Sequence, residues 1–262
     1  ITVTVDHQLP TNDVHAKVVE KVRAKQGLWE ALKFWERPKV KELWVVLIEK
    51  AIAKLWGGGY VQLNSGGSSS RVFETVSGTS SDDLALPSAG DDATWTRIYD
   101  HLAANRPATA GTDALRIIDQ LENATAVQIL SSLVSADSAA ITGVVSSAAT
   151  IGDGGAAKSA LKRLYDGLGF STDSHKQLRR AIGQATGVYA WHAYSILEAH
   201  ETAADPPAAP IRKLVMRNPW GAAIPGVAEL AEGPVSDAGT FRIDFQQFLN
   251  YFGTAYLGMV GA

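Results

Sequence analysis

The sequence predicts an α+β fold, and three observations carry that prediction. Short runs of β-branched and aromatic residues, Ile1 to Val5, Val188 to Leu197, Ile211 to Met216 and Phe241 to Asp244, read as strands. Longer stretches free of internal proline and glycine, Glu42 to Trp56 and Ala93 to about Asn105, read as helices. Between the two strand-rich ends, residues 113–186 change character. They are rich in Ala, Ser, Leu and Ile, poor in aromatics, and read as a block of short helices.

Taken in order, Ile1-Thr2-Val3-Thr4-Val5 alternates in the manner of a strand, and Pro10 with its polar neighbours from Asp6 to Asn12 ends it. From Val14 to Lys41 the chain is strongly charged, with Lys17, Lys21, Arg23, Lys25, Lys33, Arg37, Lys39 and Lys41 only partly offset by Glu20, Glu30 and Glu36. Val18, Val22, Leu28, Leu32 and Trp35 fit one or two amphipathic helical pieces there, either a solvated face or a basic docking surface. Glu42 to Trp56 is the clearest helix, and Gly57-Gly58-Gly59 stops it, because glycine takes the left-handed turn at a helix end. Tyr60 to Gly67 and Ser68-Ser69-Ser70 read as a loop, and Thr75 to Asp92 as a Ser/Gly/Asp-rich linker. Pro107 closes the next helix, and Ala108 to Thr112 is a short strand of little bulk. Within the helical block the expected pieces are Ala114 to Leu121, Ala126 to Val134, Ala156 to Tyr165 and Ser174 to Ile182. Phe245 to Phe252 reads as an aromatic-rich closing helix or strand.

Composition narrows the function classes. A chain of 262 residues makes one large domain or two modest ones, and its net charge of −3 gives no global drive towards nucleic acid or an anionic membrane. No apolar run reaches the length of a membrane-spanning helix. Ile1, with no signal-like segment after it, has the look of a cut inside a longer chain. There is no cysteine, which excludes disulfides, thiolate zinc sites and a nucleophilic thiol within these residues and leaves the compartment unreadable. His7, His15, His101, His175, His192 and His200 are scattered, so no histidine metal site is expected.

Against that background one pair stands out: His192 in Trp191-His192-Ala193-Tyr194-Ser195-Ile196, and Asn218 in Arg217-Asn218-Pro219-Trp220-Gly221. In a strand, His192, Tyr194 and Ile196 share one face, where an imidazole is held and partly shielded; taken alone it reads first as a satisfied core histidine. Pro219 pushes Asn218 to extended geometry beyond a strand end, where its carboxamide can accept from an imidazole N–H. Such a bond selects the tautomer whose other nitrogen faces a nucleophile. Trp220 would cover that bond and keep water from it, or simply finish a turn as a core tryptophan.

Several stretches together resemble the calpain-type protease core, in that family's order. They are Val5-Asp6 through Leu9-Pro10-Thr11, Glu42 through Leu55, Gly59-Tyr60, Ser65-Gly66-Gly67, His192-Ala193-Tyr194-Ser195, Arg217 through Gly221, and Asp237 through Leu249. The resemblance implies a papain-like lobe with an antiparallel, partly barrel-like sheet carrying His192 and Asn218. It implies His192 as the general base for a catalytic thiol, Asn218 as the residue that orients it, and Trp220 as the aromatic shield. Gly66 and Gly67 match the backbone that pairs with an extended substrate peptide. Trp191 stands where the family pattern has a small residue, so its bulk would narrow the substrate cleft or act as a lid. The family's nucleophilic Cys, and the Gln of its oxyanion hole, lie upstream of the Val-Asp…Leu-Pro-Thr strand with which this sequence opens.

The expected organisation is therefore a His/Asn lobe over 1–112 and 187–262, a charged helical insertion at 13–41, and an inserted helical subdomain at 113–186. The expected function is a calpain-like cysteine endopeptidase acting on polypeptides. Its Cys-bearing segment would be upstream or a separate chain, and this chain alone would be inactive. No cofactor is expected: the calcium-ligand loops of animal calpains have no match here. The contrasting expectations are a non-catalytic scaffold derived from a protease and an amide transferase on the same fold.

Overall fold

Aspartate or serine caps four of the described helices. In the computed structural model, which describes residues 51–57, 67–136, 154–167, 173–203, 209–219 and 239–259, each such residue takes extended backbone and offers its side chain to the first free N–H groups of a helix. Ser68 caps α1 (Ser69–Ser77), Asp91 caps α2 (Asp92–Ala103) and Asp113 caps α3 (Ala114–Gln120). Three longer helices follow, α4 (Asn123–Ala136), α5 (Gly154–Gly167) and α6 (Asp173–Thr186). The short α7 (Phe245–Tyr251) is capped by Asp244, which accepts from the N–H groups of Gln246 at 2.8 Å and Gln247 at 3.4 Å.

The strands are β1 (Ser81–Ala85), β2 (Ala108–Thr112), β3 (Ala193–Thr202), β4 (Ile211–Arg217), β5 (Thr240–Asp244) and β6 (Phe252–Gly258). They make one antiparallel sheet in the order β1-β6-β2-β3-β4-β5. Among the described residues β1 and β5 are its two edges and the sheet is not closed, which gives the expected α+β fold with an antiparallel sheet. Along β3 the alternation is plain: Tyr194 and Ile196 are buried while Ala193 and Leu197 are exposed. The inner face also carries Ala108, Ala110, Leu214, Met216, Ile243, Ala255 and Leu257. Ala110 lies between Tyr194 on β3 and Ala255 on β6, and the small side chains of β2 leave room for the tyrosine ring.

Helices α3 to α6 share one buried cluster with that face, through Ile117, Leu130, Leu161, Leu164, Leu178 and Ile182. Full burial of a side chain of this size stabilises by about 1.5–3 kcal/mol, so apolar packing holds these helices more than propensity does.

Three further differences from the sequence reading have physical causes. The expected loop and linker across 68–92 hold α1 and β1. α1 buries no residue and β1 has the polar edge sequence Ser-Asp-Asp-Leu-Ala, so neither has an apolar pattern to announce it. The strand expected from Val188 starts at Ala193, because Trp191 has φ +50° and breaks extended geometry. The closing segment is both a helix and a strand, α7 running directly into β6.

The chain divides into two compact units, Ile1–Gly67 and Ser68–Ala262. In the first, residues 51–55 are helical with Ala53 buried, and Gly57 takes φ +78°, the left-handed end expected there. The strand expected at 1–5, the charged pieces of 13–41, the rest of the helix from Glu42, the loop up to Gly66, and Trp220 lie outside the described residues.

Candidate active site

β3 and β4 are antiparallel neighbours, so the residues before the first and after the second come to the same end of the sheet. Ser195 pairs with Arg217, which places Asn218 at the end of β4 and His192 just ahead of β3. The His192 Nε2–H donates to Asn218 Oδ1 at 2.8 Å. An amide oxygen only accepts, so Nε2 carries the proton of the neutral ring and Nδ1 is the basic nitrogen. Asn218 is 3% exposed, and its N–H donates to the Gly239 carbonyl at 2.8 Å. A short hydrogen bond with one buried partner fixes the ring about its outer torsion.

Aromatic rings enclose the imidazole. Tyr194 meets His192 edge-on at 4.9 Å and Tyr189 does so at 6.1 Å. The buried Tyr194 hydroxyl accepts the Tyr189 backbone N–H at 2.9 Å, which ties the Tyr194 ring to the Tyr189 backbone. Arg179, from α6, lies over the Tyr189 ring at 5.9 Å. Burial pushes the His192 pKa down to about 4, the Asn218 hydrogen bond opposes that shift, and the Arg179 charge adds to it. At neutral pH His192 is therefore an uncharged base, and a neighbouring anion would stabilise its protonated form.

Two features hold the His192 backbone. Thr112, the last residue of β2, donates its N–H to the His192 carbonyl at 2.9 Å. The Thr112 hydroxyl donates to the same carbonyl at 3.0 Å and accepts the His192 N–H at 2.9 Å. On the preceding side the Trp191 ring stacks on Tyr165 of α5, with centroids 4.2 Å apart and planes 11° from parallel. It also meets His175 of α6 at 3.8 Å. His175 is 2% exposed, and burial with the nearby Arg179 lowers its pKa. The positive φ of Trp191 is a conformation suited to glycine.

Of the residues singled out from sequence, the structure brings together His192, Asn218 and Trp191. Gly67 lies in the other unit and is exposed, with the Trp56 ring 3.8 Å from where a Cβ would stand. Gly66 and Trp220 lie outside the described residues. Sequence reasoning missed Thr112, Tyr165, His175, Arg179 and Tyr189 as neighbours of the pair. Thr112, Tyr165, His175 and Arg179 reach it by tertiary packing, Thr112 from 80 positions away, so no local spacing signals them, whereas Tyr189 stands only three positions before His192. Among the described residues no three His, Asp or Glu side chains gather where they could hold a metal ion, and no helix is long and apolar enough to cross a membrane.

Comparison with known proteins adds one finding. The sequence model of the calpain family cysteine proteases matches residues 1–224. A search of curated proteins gives no match.

Proposed function

The chain belongs to the calpain family of cysteine proteases, and from that premise we propose that it supplies the His192–Asn218 half of a Cys-His-Asn peptidase site. The thiol comes from a polypeptide segment outside these 262 residues, because none of them is a cysteine. The observation that carries this reading is the 2.8 Å bond from His192 Nε2 to Asn218 Oδ1, which leaves Nδ1 as the proton acceptor.

In the proposed reaction Nδ1 of His192 takes the thiol proton and the thiolate sulfur attacks the peptide carbonyl carbon. Collapse of the tetrahedral intermediate breaks the C–N bond, and His192 returns the proton to the departing amine. Water, deprotonated by His192, then cleaves the thioester and restores the thiol. The thiolate supplies the negative charge that favours imidazolium, against the burial and the Arg179 charge that disfavour it. Asn218 holds the ring in one tautomer throughout. We assign Trp191 as a fixed wall beside His192, since its ring is already engaged by Tyr165 and His175. Trp220 is assigned as the cover of the pair, and Gly66 with Gly67 as the backbone that meets substrate. We further propose that residues 1–112 and 187–262 form the lobe, with insertions at 13–41 and 113–186. The helices α3 to α6 and the core they share with the sheet support an insertion built into the lobe.

The test is complementation. The purified chain alone is expected to show no thiol-protease turnover. Adding the Cys-bearing segment encoded upstream, or its companion chain, should give peptide cleavage blocked by a thiol alkylating agent. His192→Ala should lower kcat by about 10²–10⁴-fold in that complex, the range for loss of a general base. Cleavage by the isolated chain would refute the two-part site. A native companion without cysteine would favour the second reading, a binding scaffold, for which the cysteine-free sequence speaks.

A further inference from the structure

The end of the β2–β3 ladder departs from regular pairing at the one place where His192 must leave the sheet. The regular rungs pair Gly111 with Ala193 and Ala110 with Tyr194, so the next rung pairs Thr112 with His192. In an ordinary antiparallel hydrogen-bonded pair each residue donates its N–H to the other's carbonyl. Here Thr112 donates its N–H to the His192 carbonyl, but the His192 N–H goes to the Thr112 hydroxyl. That hydroxyl also donates to the His192 carbonyl. On its other side, β2 shifts register against β6 between Gly111 and Thr112, where Gly253 of β6 is left without a rung and Thr112 pairs with Phe252.

We propose that Thr112 is a positioning residue for His192: its hydroxyl takes the part of a backbone carbonyl in the final rung and so fixes where the imidazole stands. Its catalytic meaning rests on the reading of His192 as general base, but the positioning itself does not. Thr112 is rigid in its own right, because its neighbour Asp113 caps α3 and donates its N–H to the Tyr251 carbonyl at 2.9 Å. With Trp191 in left-handed conformation on one side and the hydroxyl clamp on the other, the His192 backbone has little freedom, and the ring reaches Asn218. A β-branched residue with a hydroxyl answers both demands of the site, since the branching restricts χ1 while the oxygen donates and accepts at once.

The test uses the whole chain labelled with ¹⁵N and compares Thr112→Val, which keeps the shape and removes the hydroxyl, with Thr112→Ser, which keeps the hydroxyl. The readout is the His192 ring by NMR, its tautomer and its titration midpoint. The valine variant, folded by circular dichroism, is expected to lose the single Nε2–H tautomer, and with the Asn218 hydrogen bond weakened its midpoint should fall below the wild-type value. The serine variant should retain the wild-type signals. Unchanged His192 signals in the valine variant would overturn the proposal. Should that variant not fold, the serine variant decides: wild-type His192 signals support the clamp, and displaced ones in a folded protein overturn it. In the complemented protease the valine variant should lose about tenfold in kcat with KM little changed, as expected for a misplaced catalytic group. No turnover by the complemented wild type, beside an intact NMR contrast, would instead refute the protease reading and leave the positioning role standing.

Discussion

His192 meets two opposing influences, and they make separable predictions. Burial and the Arg179 charge lower its pKa, whereas the bond to Asn218 raises it. Asn218→Ala should therefore move the His192 midpoint further down, opposite to what simple exposure of the ring would do. Arg179→Leu should move it up. Imidazole proton shifts followed against pH in the isolated chain check both directions. Trp191 offers a second test at this scale, because its positive φ and its ring stack pull in opposite directions. Trp191→Ala should cost about 2 kcal/mol through loss of the stacked, half-buried ring. Trp191→Gly should cost about 1 kcal/mol less, although glycine has no side chain, since it adopts the left-handed conformation without strain. Urea denaturation of the two variants compares them directly.

At the scale of elements, Arg116 is a joint between three segments. From α3 its guanidinium donates to the carbonyls of Leu86 at 2.7 Å, Leu249 at 3.0 Å, and Pro87 and Phe252 at 3.1 Å. These carbonyls belong to the segment after β1, to α7 and to the start of β6. Arg116→Ala should lower stability by about 2–4 kcal/mol, and Arg116→Lys should recover only part, because an ammonium cannot present a planar fork to four acceptors. The shift in thermal unfolding midpoint measures each. Elements of this protein are legible in sequence where an apolar pattern or a stop marks them. The helices at 92–103, 114–120, 123–136, 154–167 and 173–186, and the strands β2, β4 and β5, each lie within a few residues of their expected bounds. α1 and β1 are illegible because they carry almost no buried side chains. The early start predicted for β3 fails at Trp191, whose backbone conformation follows from packing against α5 and α6 and not from its own type. His192 and Asn218 are legible since each sits in a distinctive local motif, whereas Thr112 and Arg179 act through contacts that only the fold creates.

For the whole molecule, His192 and His175 set a pH dependence of stability. His192 has a folded pKa of about 4 against an ordinary 6.5, and that of His175 is lowered too. Between those values the unfolded chain binds more protons than the native one, so stability falls as the pH drops from about 6.5 towards 4 and is fully present above it. For His192 alone the loss is at most about 3 kcal/mol. Chemical denaturation at pH 7 and pH 5 should show it, and His192→Asn should flatten the slope.

The strand order has a consequence for the time course of assembly. β6, residues 252–258, lies between β1 and β2, so Ser81 pairs with Gly258 and Ala108 with Leu257 across most of the described chain. Loop closure over such separations is slow, and an emerging chain has no β6 to offer until residues 252–258 have been made. Until then β1 has no neighbour in the sheet, and β2, with the Thr112 that grips His192, is bare along one side. A chain stopped before Phe252 should accordingly leave the amides of β1 unprotected in hydrogen exchange.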